Sequence, residues 1–191
     1  MHVLVTGAGG FIGSHLVDDQ LQRGNKVTAL DLNTSYFNDK PLHPNLTVIT
    51  SDFTDLDWNQ GGSEEYDICF HLASAHLETD IDEHYFHQVN VVNLERFVKR
   101  CQEAGVKRFV HCSSVGVYGN IQNPPANEES PVNPDVAYER SKLEGEKVVS
   151  AFSRQTGYPV VIIRPAWVYG PRCPRTERLF RTIKKGRFFF V

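Results

Sequence analysis

Tyr138-Glu-Arg-Ser-Lys142 sets a phenol four residues before an ammonium, and on a helix that spacing puts both on one face. At about 4 Å and an effective dielectric near 20, one cation favours the phenolate by roughly 4 kcal/mol, or ~3 pK units off a reference of about 10. That ceiling brings a phenol within reach of neutral pH, where general bases work best. Such a pair can make tyrosine a base. A second match, Tyr36/Lys40, lies among Asn33, Asn38 and Pro41, turn formers that assign it to a solvated loop. Only Tyr138 follows a strand and starts a helix.

The strand before that helix ends His111-Cys-Ser-Ser-Val-Gly-Val-Tyr-Gly119. Ser113 and Ser114 therefore present hydroxyls at the carboxyl end of a central strand, the edge where ligands bind. A hydroxyl there holds a substrate oxygen or serves turn chemistry, and the tyrosine helix downstream favours the first.

At the other end of the chain, the apolar run Val3-Leu-Val5 enters the turn Thr6-Gly-Ala-Gly-Gly-Phe-Ile-Gly13. Gly7, Gly10 and Gly13 stand three apart, which permits a tight turn, a close approach to a pyrophosphate and close packing of helix on strand. The free N–H groups of the following helix then face the phosphates. Asp31 ends the next apolar run, about 20 residues on, where a ribose diol is clamped. An unpaired carboxylate there repels a 2′-phosphate, so the residue favours NAD over NADP.

These groups need a scaffold. Apolar runs at Val3–Val5, Val27–Leu30, Leu46–Ile49, Asp67–Leu72, Phe109–Cys112 and Val160–Ile163 are short and largely non-alternating, as buried parallel strands are. Helical spacing occupies Phe11–Arg23, Glu83–Ala104 and Val136–Thr156, with Gly24, Gly105 and Gly157 as stops. Strand alternating with helix predicts an α/β doubly wound sheet whose right-handed crossovers put the ligand at the strands' carboxyl ends. The Pro- and Asn-rich stretch Gly119–Asp135 reads as a loop flanking the site. Arg187–Val191 reads as a strand with no partner following.

With 191 residues, 40% hydrophobic and a net charge of −3, the chain reads as one globular domain. No apolar run approaches bilayer length and Met1 leads directly into a strand, so a cytoplasmic location without membrane insertion is expected. The acidic balance, with no matching module, argues against nucleic acid. Cys69, Cys101, Cys112 and Cys173 show no paired spacing, so neither disulfide nor zinc is expected, and Cys69 and Cys112 fall in strands read as buried. His84 and His87 share a helix face but lack a third ligand, which argues against a metal. Arg172, Arg175, Arg178, Arg181, Lys184, Lys185 and Arg187 suit either a substrate diphosphate or a solvated helix face.

Four elements occur in order: the glycine turn, the serine pair before Val117-Tyr-Gly119, Tyr138-x-x-x-Lys142 and Arg164-Pro-Ala-Trp-Val-Tyr-Gly-Pro171. Together they resemble the extended short-chain dehydrogenase/reductases, and more narrowly the NAD-dependent epimerase/dehydratase family, a Rossmann fold acting largely on nucleotide sugars. The resemblance implies that Tyr138 abstracts a hydroxyl proton while NAD takes the hydride, leaving a keto intermediate. It gives Lys142 the nicotinamide ribose and the lowering of the phenol pKa, and gives Ser114 the hydrogen bond to the reacting oxygen. It implies cofactor contacts at Gly7, Gly10, Phe11, Ile12 and Gly13, at Asp31 and Leu32, and at Asp52 and Phe53. Leu72, Ala73 and Ser74 follow, then Asn90, Ser113, Tyr138, Lys142, Pro165 and Val168. It further implies a nucleotide-sugar substrate and a homodimer through the helices Glu83–Ala104 and Val136–Thr156.

The family's dehydratases carry an acid just after the catalytic hydroxyl, where this chain has Val115 and Gly116. Epimerisation or simple alcohol/ketone oxidoreduction is therefore expected rather than elimination. By the same resemblance, residues 1–171 are the NAD-binding domain and 172–191 the start of a truncated substrate region, so weak or absent turnover is expected of the short form. Two alternatives stay open: a dinucleotide-binding module without turnover, acting as a regulator or assembly partner, and a ketone or hydroxysteroid reductase of the same superfamily.

Overall fold

The computed structural model describes residues 1–58, 65–76 and 82–187. Among them six strands, β1 (His2–Thr6), β2 (Lys26–Asp31), β3 (Leu46–Thr50), β4 (Ile68–His71), β5 (Phe109–Cys112) and β6 (Val160–Ile163), form one parallel sheet. Its order is β3-β2-β1-β4-β5-β6. The chain reverses its direction of travel between β1 and β4, so a crevice opens at the carboxyl ends of those two strands.

Successive residues of a strand face opposite sides, and the two cores divide accordingly. Val3, Val5, Val27 and Ala29 pack with Val17 of α1 (Phe11–Gln22) and Phe37 of α2 (Ser35–Asn38) on one face. Leu4, Leu30, Cys69 and Phe109 pack on the other face. Their partners there are Leu94, Phe97 and Val98 of the helix Leu94–Glu103, and Val149 and Phe152 of the helix Ala137–Thr156. Gly24 and Gly157 adopt φ of 77° and 74° just past the first and last of these helices, the left-handed stop that glycine makes without strain.

The stretch expected as one helix from Glu83 to Ala104 is three pieces. A five-residue α3 (Glu83–His87) passes into a π turn over Gln88–Asn93 and then into α4 (Leu94–Glu103). Asn90 lies in that turn, and its backbone carbonyl is so near α5 (Ala137–Thr156) that a Cβ on Gly145 would sit 2.7 Å from it. Periodicity cannot register one extra residue in a turn.

A second departure concerns Tyr36 and Lys40, which are not a solvated loop pair. Phe37 is buried in the core, and the segment around it winds into α2. Tyr36 Oη and Lys40 Nζ both donate to Asp18 on α1. Of the two cysteines read as strand residues, Cys69 is buried and Cys112 half-buried, and all four thiols are free. Beyond β6 the chain forms α6 (Pro174–Lys184), none of whose residues is buried. Positions 188–191 of the expected terminal strand lie outside the described residues. No helix among the described residues is long and apolar enough to cross a membrane.

Candidate active site

The glycine turn lies at the carboxyl end of β1 and is built by contact. Gly7 has φ 69°, and a Cβ on it would stand 2.7 Å from the Ala73 nitrogen. On Gly13 a Cβ would stand 2.0 Å from the Gly7 carbonyl oxygen. Neither site admits a side chain, so α1 and the loop after β4 close on the turn from both sides. Gly10 is freer, with 3.2 Å to the same oxygen, and begins α1 with no side-chain cap and no acid in the first turn. Gly13 is buried, Phe11 half-buried and Ile12 exposed. The helix start thus keeps its positive end open to an anion.

Asp31, at the end of β2, accepts 2.9 Å hydrogen bonds from Gly9 N on one carboxylate oxygen and from Asn33 N on the other. It braces the turn as well as facing the crevice, while Leu32 is exposed. Gly9, absent from the expected contacts, is equally obligatory: a Cβ there would lie 2.0 Å from the Asn33 carbonyl oxygen. The Gly9-Gly10 pair is the sequence signal for it.

Asp52 caps a 3₁₀ turn, accepting 2.8 Å bonds from the Thr54 amide and hydroxyl. Phe53 is buried, its ring 4.9 Å from His71 and 5.2 Å from Phe97. That side chain belongs to the core. Leu72, Ala73 and Ser74 are half-buried after β4, and Ala73 N reaches Thr6 Oγ1 at 3.3 Å.

Asn90 is buried and fully engaged. Its Oδ1 accepts from Ala75 N at 2.8 Å, and its Nδ2 donates to the Ala75 carbonyl and to Ser141 Oγ at 3.2 and 3.0 Å. Both amide protons are taken by protein atoms. The side chain clamps the loop after β4 to α5 at Ser141, the residue before Lys142.

Ser113 is buried with its Oγ lacking any partner among the described residues. Ser114, half-buried, accepts from Gly116 N at 3.1 Å and starts the 3₁₀ turn Val115–Tyr118. Lys142 is 3% exposed. Burial drives its pKa down to about 8, against the opposing effects of Cys112 and Glu146. Its ammonium makes no hydrogen bond or ion pair within the described residues, where a buried cation ordinarily has one.

The phenol departs from expectation. Burial raises the Tyr138 pKa, with Cys112 and Glu139 adding to the rise, and the cation that opposes it is Arg175. Lys142 instead acts on His71, His111 and Cys112. Four-residue spacing supplies a shared face but not a shared hydration, and desolvation of the ring outweighs the nearby charges. The Tyr138 ring also faces His76, at 5.7 Å between centroids, and Phe86 at 6.0 Å. His76 lies five residues past β4's buried His71, a loop position with no motif to mark it.

The end of β6 is fixed by a network that spacing could not reveal. Arg164 forks onto both carboxylate oxygens of buried Glu146 at 2.9 and 2.7 Å and reaches Tyr118 Oη at 2.8 Å. Pro165 O then accepts from Val115 N at 3.1 Å, and Val168 is exposed. The cationic stretch divides: Arg172 meets Asp18, Arg181 pairs with Glu177, and the Arg175 charge acts on Tyr138. His87 approaches Glu144 at 3.7 Å, and no group of three metal-ligating side chains occurs among the described residues.

A family model described as the NAD dependent epimerase/dehydratase family matches residues 3–187. A UDP-glucose 4-epimerase of Mycolicibacterium smegmatis is 35% identical over 184 residues, 90% of this chain and 58% of that protein. A 3 beta-hydroxysteroid dehydrogenase/Delta 5-->4-isomerase of Mycobacterium tuberculosis is 33% identical, covering 96% of this chain and 52% of that one. Among solved structures, UDP-glucuronic acid 4-epimerase from Bacillus cereus in complex with NAD superposes with a TM-score of 0.85 at 27% identity. That match covers 97% of this chain and 64% of the other. The chain therefore spans less than two thirds of the length of these relatives.

Proposed function

The chain belongs to the NAD dependent epimerase/dehydratase family, and from that premise we propose that it binds NAD and epimerises a hydroxyl-bearing carbon of a nucleotide sugar. The observation that carries this reading is a pair of buried residues: Lys142, whose side chain makes no hydrogen bond or ion pair among the described residues, and Ser113, whose buried Oγ also lacks a partner there. Both belong to the carboxyl edge that the glycine turn faces from β1. The donor set fits a dinucleotide: the tightly packed Gly7, Gly9 and Gly13 fix a turn that leads into the uncapped, acid-free start of α1, where its phosphates would lie, and Asp31 offers remaining lone pairs to a ribose diol. Lys142 and Ser113 would receive its nicotinamide half, with Pro165 and Val168 alongside.

When bound, NAD supplies a reversible hydride acceptor. The residues of the chain do the rest. Tyr138 Oη takes the substrate hydroxyl proton and later returns it, and Ser114 Oγ donates to the reacting oxygen. Turning the keto sugar over before it is reduced from the other face inverts the carbon with no net oxidation. Absence of an acid at Val115 or Gly116 supports this over elimination.

A screen of UDP-, GDP- and dTDP-sugars with NAD tests the reading, alongside Tyr138→Phe. Epimer formation without accumulation of reduced cofactor is expected, lost in the variant while NAD binding persists. Accumulating reduced cofactor with a steroid or simple alcohol would favour the second reading, which the mycobacterial hydroxysteroid relative supports. Binding of NAD with no turnover of any substrate would leave a dinucleotide-binding module. We also infer that residues 172–191 open a substrate-binding region. A homodimer through α3–α4 and α5 follows by the same family logic, and light scattering checks it. A cytoplasmic setting is consistent with four free thiols.

A further inference from the structure

Residues 164–173 leave β6 and reach α1, on the far side of β5 and β4 from where they start. Three strand spacings separate β6 from β1, about 14 Å at ~4.8 Å each. The six residue steps from Pro165 to Pro171 extend to at most about 20 Å. The segment is thus a short strap across the carboxyl edge, from the β6 side to the α1 side of the crevice. It is tied at both ends. Arg164 holds the first through Glu146 and Tyr118. At the second, His15 Nε2 donates to the Pro171 carbonyl at 2.9 Å, and Arg172 reaches Asp18 at 3.5 Å.

Asp18 is the hub of that second tie. It receives Tyr36 Oη at 2.5 Å and also Lys40 Nζ. Two cations stand over the Tyr36 ring, Lys40 at 4.1 Å and Arg172 at 4.7 Å from its centroid. Arg172 adopts φ 69°, a left-handed conformation that is unfavourable for a side-chain-bearing residue and persists where contacts hold it. Partial burial opposes ionisation of Asp18, but hydrogen bonds from Lys40 and Tyr36 and the charges of Lys40 and Arg172 outweigh it. Removing that one charge would leave the two cations close together with no shared counter-charge.

We propose that Asp18 is a positioning residue: with Tyr36, Lys40 and Arg172 it latches the strap over the crevice and so sets how long a bound dinucleotide is retained. This rests on the NAD-binding reading above. The latch lies outside the groups that touch the reacting atoms, so it acts on cofactor release and not on the proton transfer.

The test compares wild type with Asp18→Asn, which keeps shape but not charge, and Arg172→Gly, which removes the contact and suits the positive φ. NAD association and dissociation are followed through Trp167, an exposed indole on the strap, and amide exchange of residues 166–172 is measured without NAD. Dissociation faster by about fivefold or more in both variants is expected, with association changed less than about twofold. Strap amides should exchange faster while the urea midpoint stays put. Dissociation rates at the wild-type value in both variants overturn the latch, whatever the exchange shows. A wild-type chain that takes up no NAD overturns the functional reading itself, a separate result.

Discussion

Gly13 stands so close to Gly7 that a Cβ on the first would lie 2.0 Å from the carbonyl oxygen of the second. The obstacle is backbone, which cannot swing aside. Gly13→Ala should therefore push α1 off the turn, costing roughly 1–3 kcal/mol as overpacking does and weakening NAD more than it weakens the fold. Gly10→Ala, with 3.2 Å to the same oxygen, should be far milder. Urea melts and NAD titrations of the two variants check the contrast, and equal effects would refute it.

Lys142 ties stability to alkaline pH. With a folded pKa of about 8 against 10.5 when exposed, the unfolded chain binds the extra proton between those values, so this group makes stability rise with pH there. The full swing is roughly 3 kcal/mol. Buried Cys101 and Tyr158, whose pKa values burial raises, act in the opposite sense at the alkaline end. The difference between wild type and Lys142→Met isolates the lysine. A difference flat from pH 7.5 to 10.5 would show that its charge is not buried.

Acid should unfold the protein through two buried imidazoles. Burial pushes His71 down to about 3 and His111 well below its usual value, with the Lys142 charge adding to both. Below pH 6.5 the unfolded chain takes up protons that the folded one refuses, so stability falls as pH falls, by roughly 3 kcal/mol from His71 alone at pH 4.5. Both ring nitrogens of His111 lack partners among the described residues. His111→Leu should then raise the urea midpoint at pH 4.5 and flatten its pH slope; an unchanged slope would clear His111 of that role.

Arg164 and Glu146 should behave as a unit. Their side chains are 21% and 6% exposed, so Arg164→Met strands a buried carboxylate at a cost of about 3 kcal/mol, whereas losing both charges is far less harmful. The double variant Arg164→Met/Glu146→Leu is expected to recover more than half of the single loss. Additive losses in a double-mutant cycle would contradict this coupling.

The order of the strands and of the longer helices was readable from the chain because the strands are apolar runs and α1, α4 and α5 each run up to a glycine stop, whereas α2, which has none, was not. Site geometry was less readable. The glycine turn declared itself through residue type, since only glycine fits. Asn90 did not, because hydrogen-bond partners such as Ala75 and Ser141 are distant in sequence and unmarked by motif. The Tyr138 phenol misled for a related reason: spacing reports which groups share a face, and their pKa values depend on how much water each keeps. Asp18 carries no motif whatever, and its contacts with Tyr36, Lys40 and Arg172 arise only when α1, the α2 segment and the strap meet.

The π turn at Gln88–Asn93 acts as a phase shifter. One residue without a full turn rotates everything beyond it by about 100° relative to an uninterrupted α-helix. Deleting a single residue there would restore ordinary winding yet swing Asn90 away from Ala75 or turn the Leu94, Phe97 and Val98 stripe off the sheet. A relative with a straight helix could be aligned here only with a one-residue gap, and every side chain on one side of that gap would change neighbours.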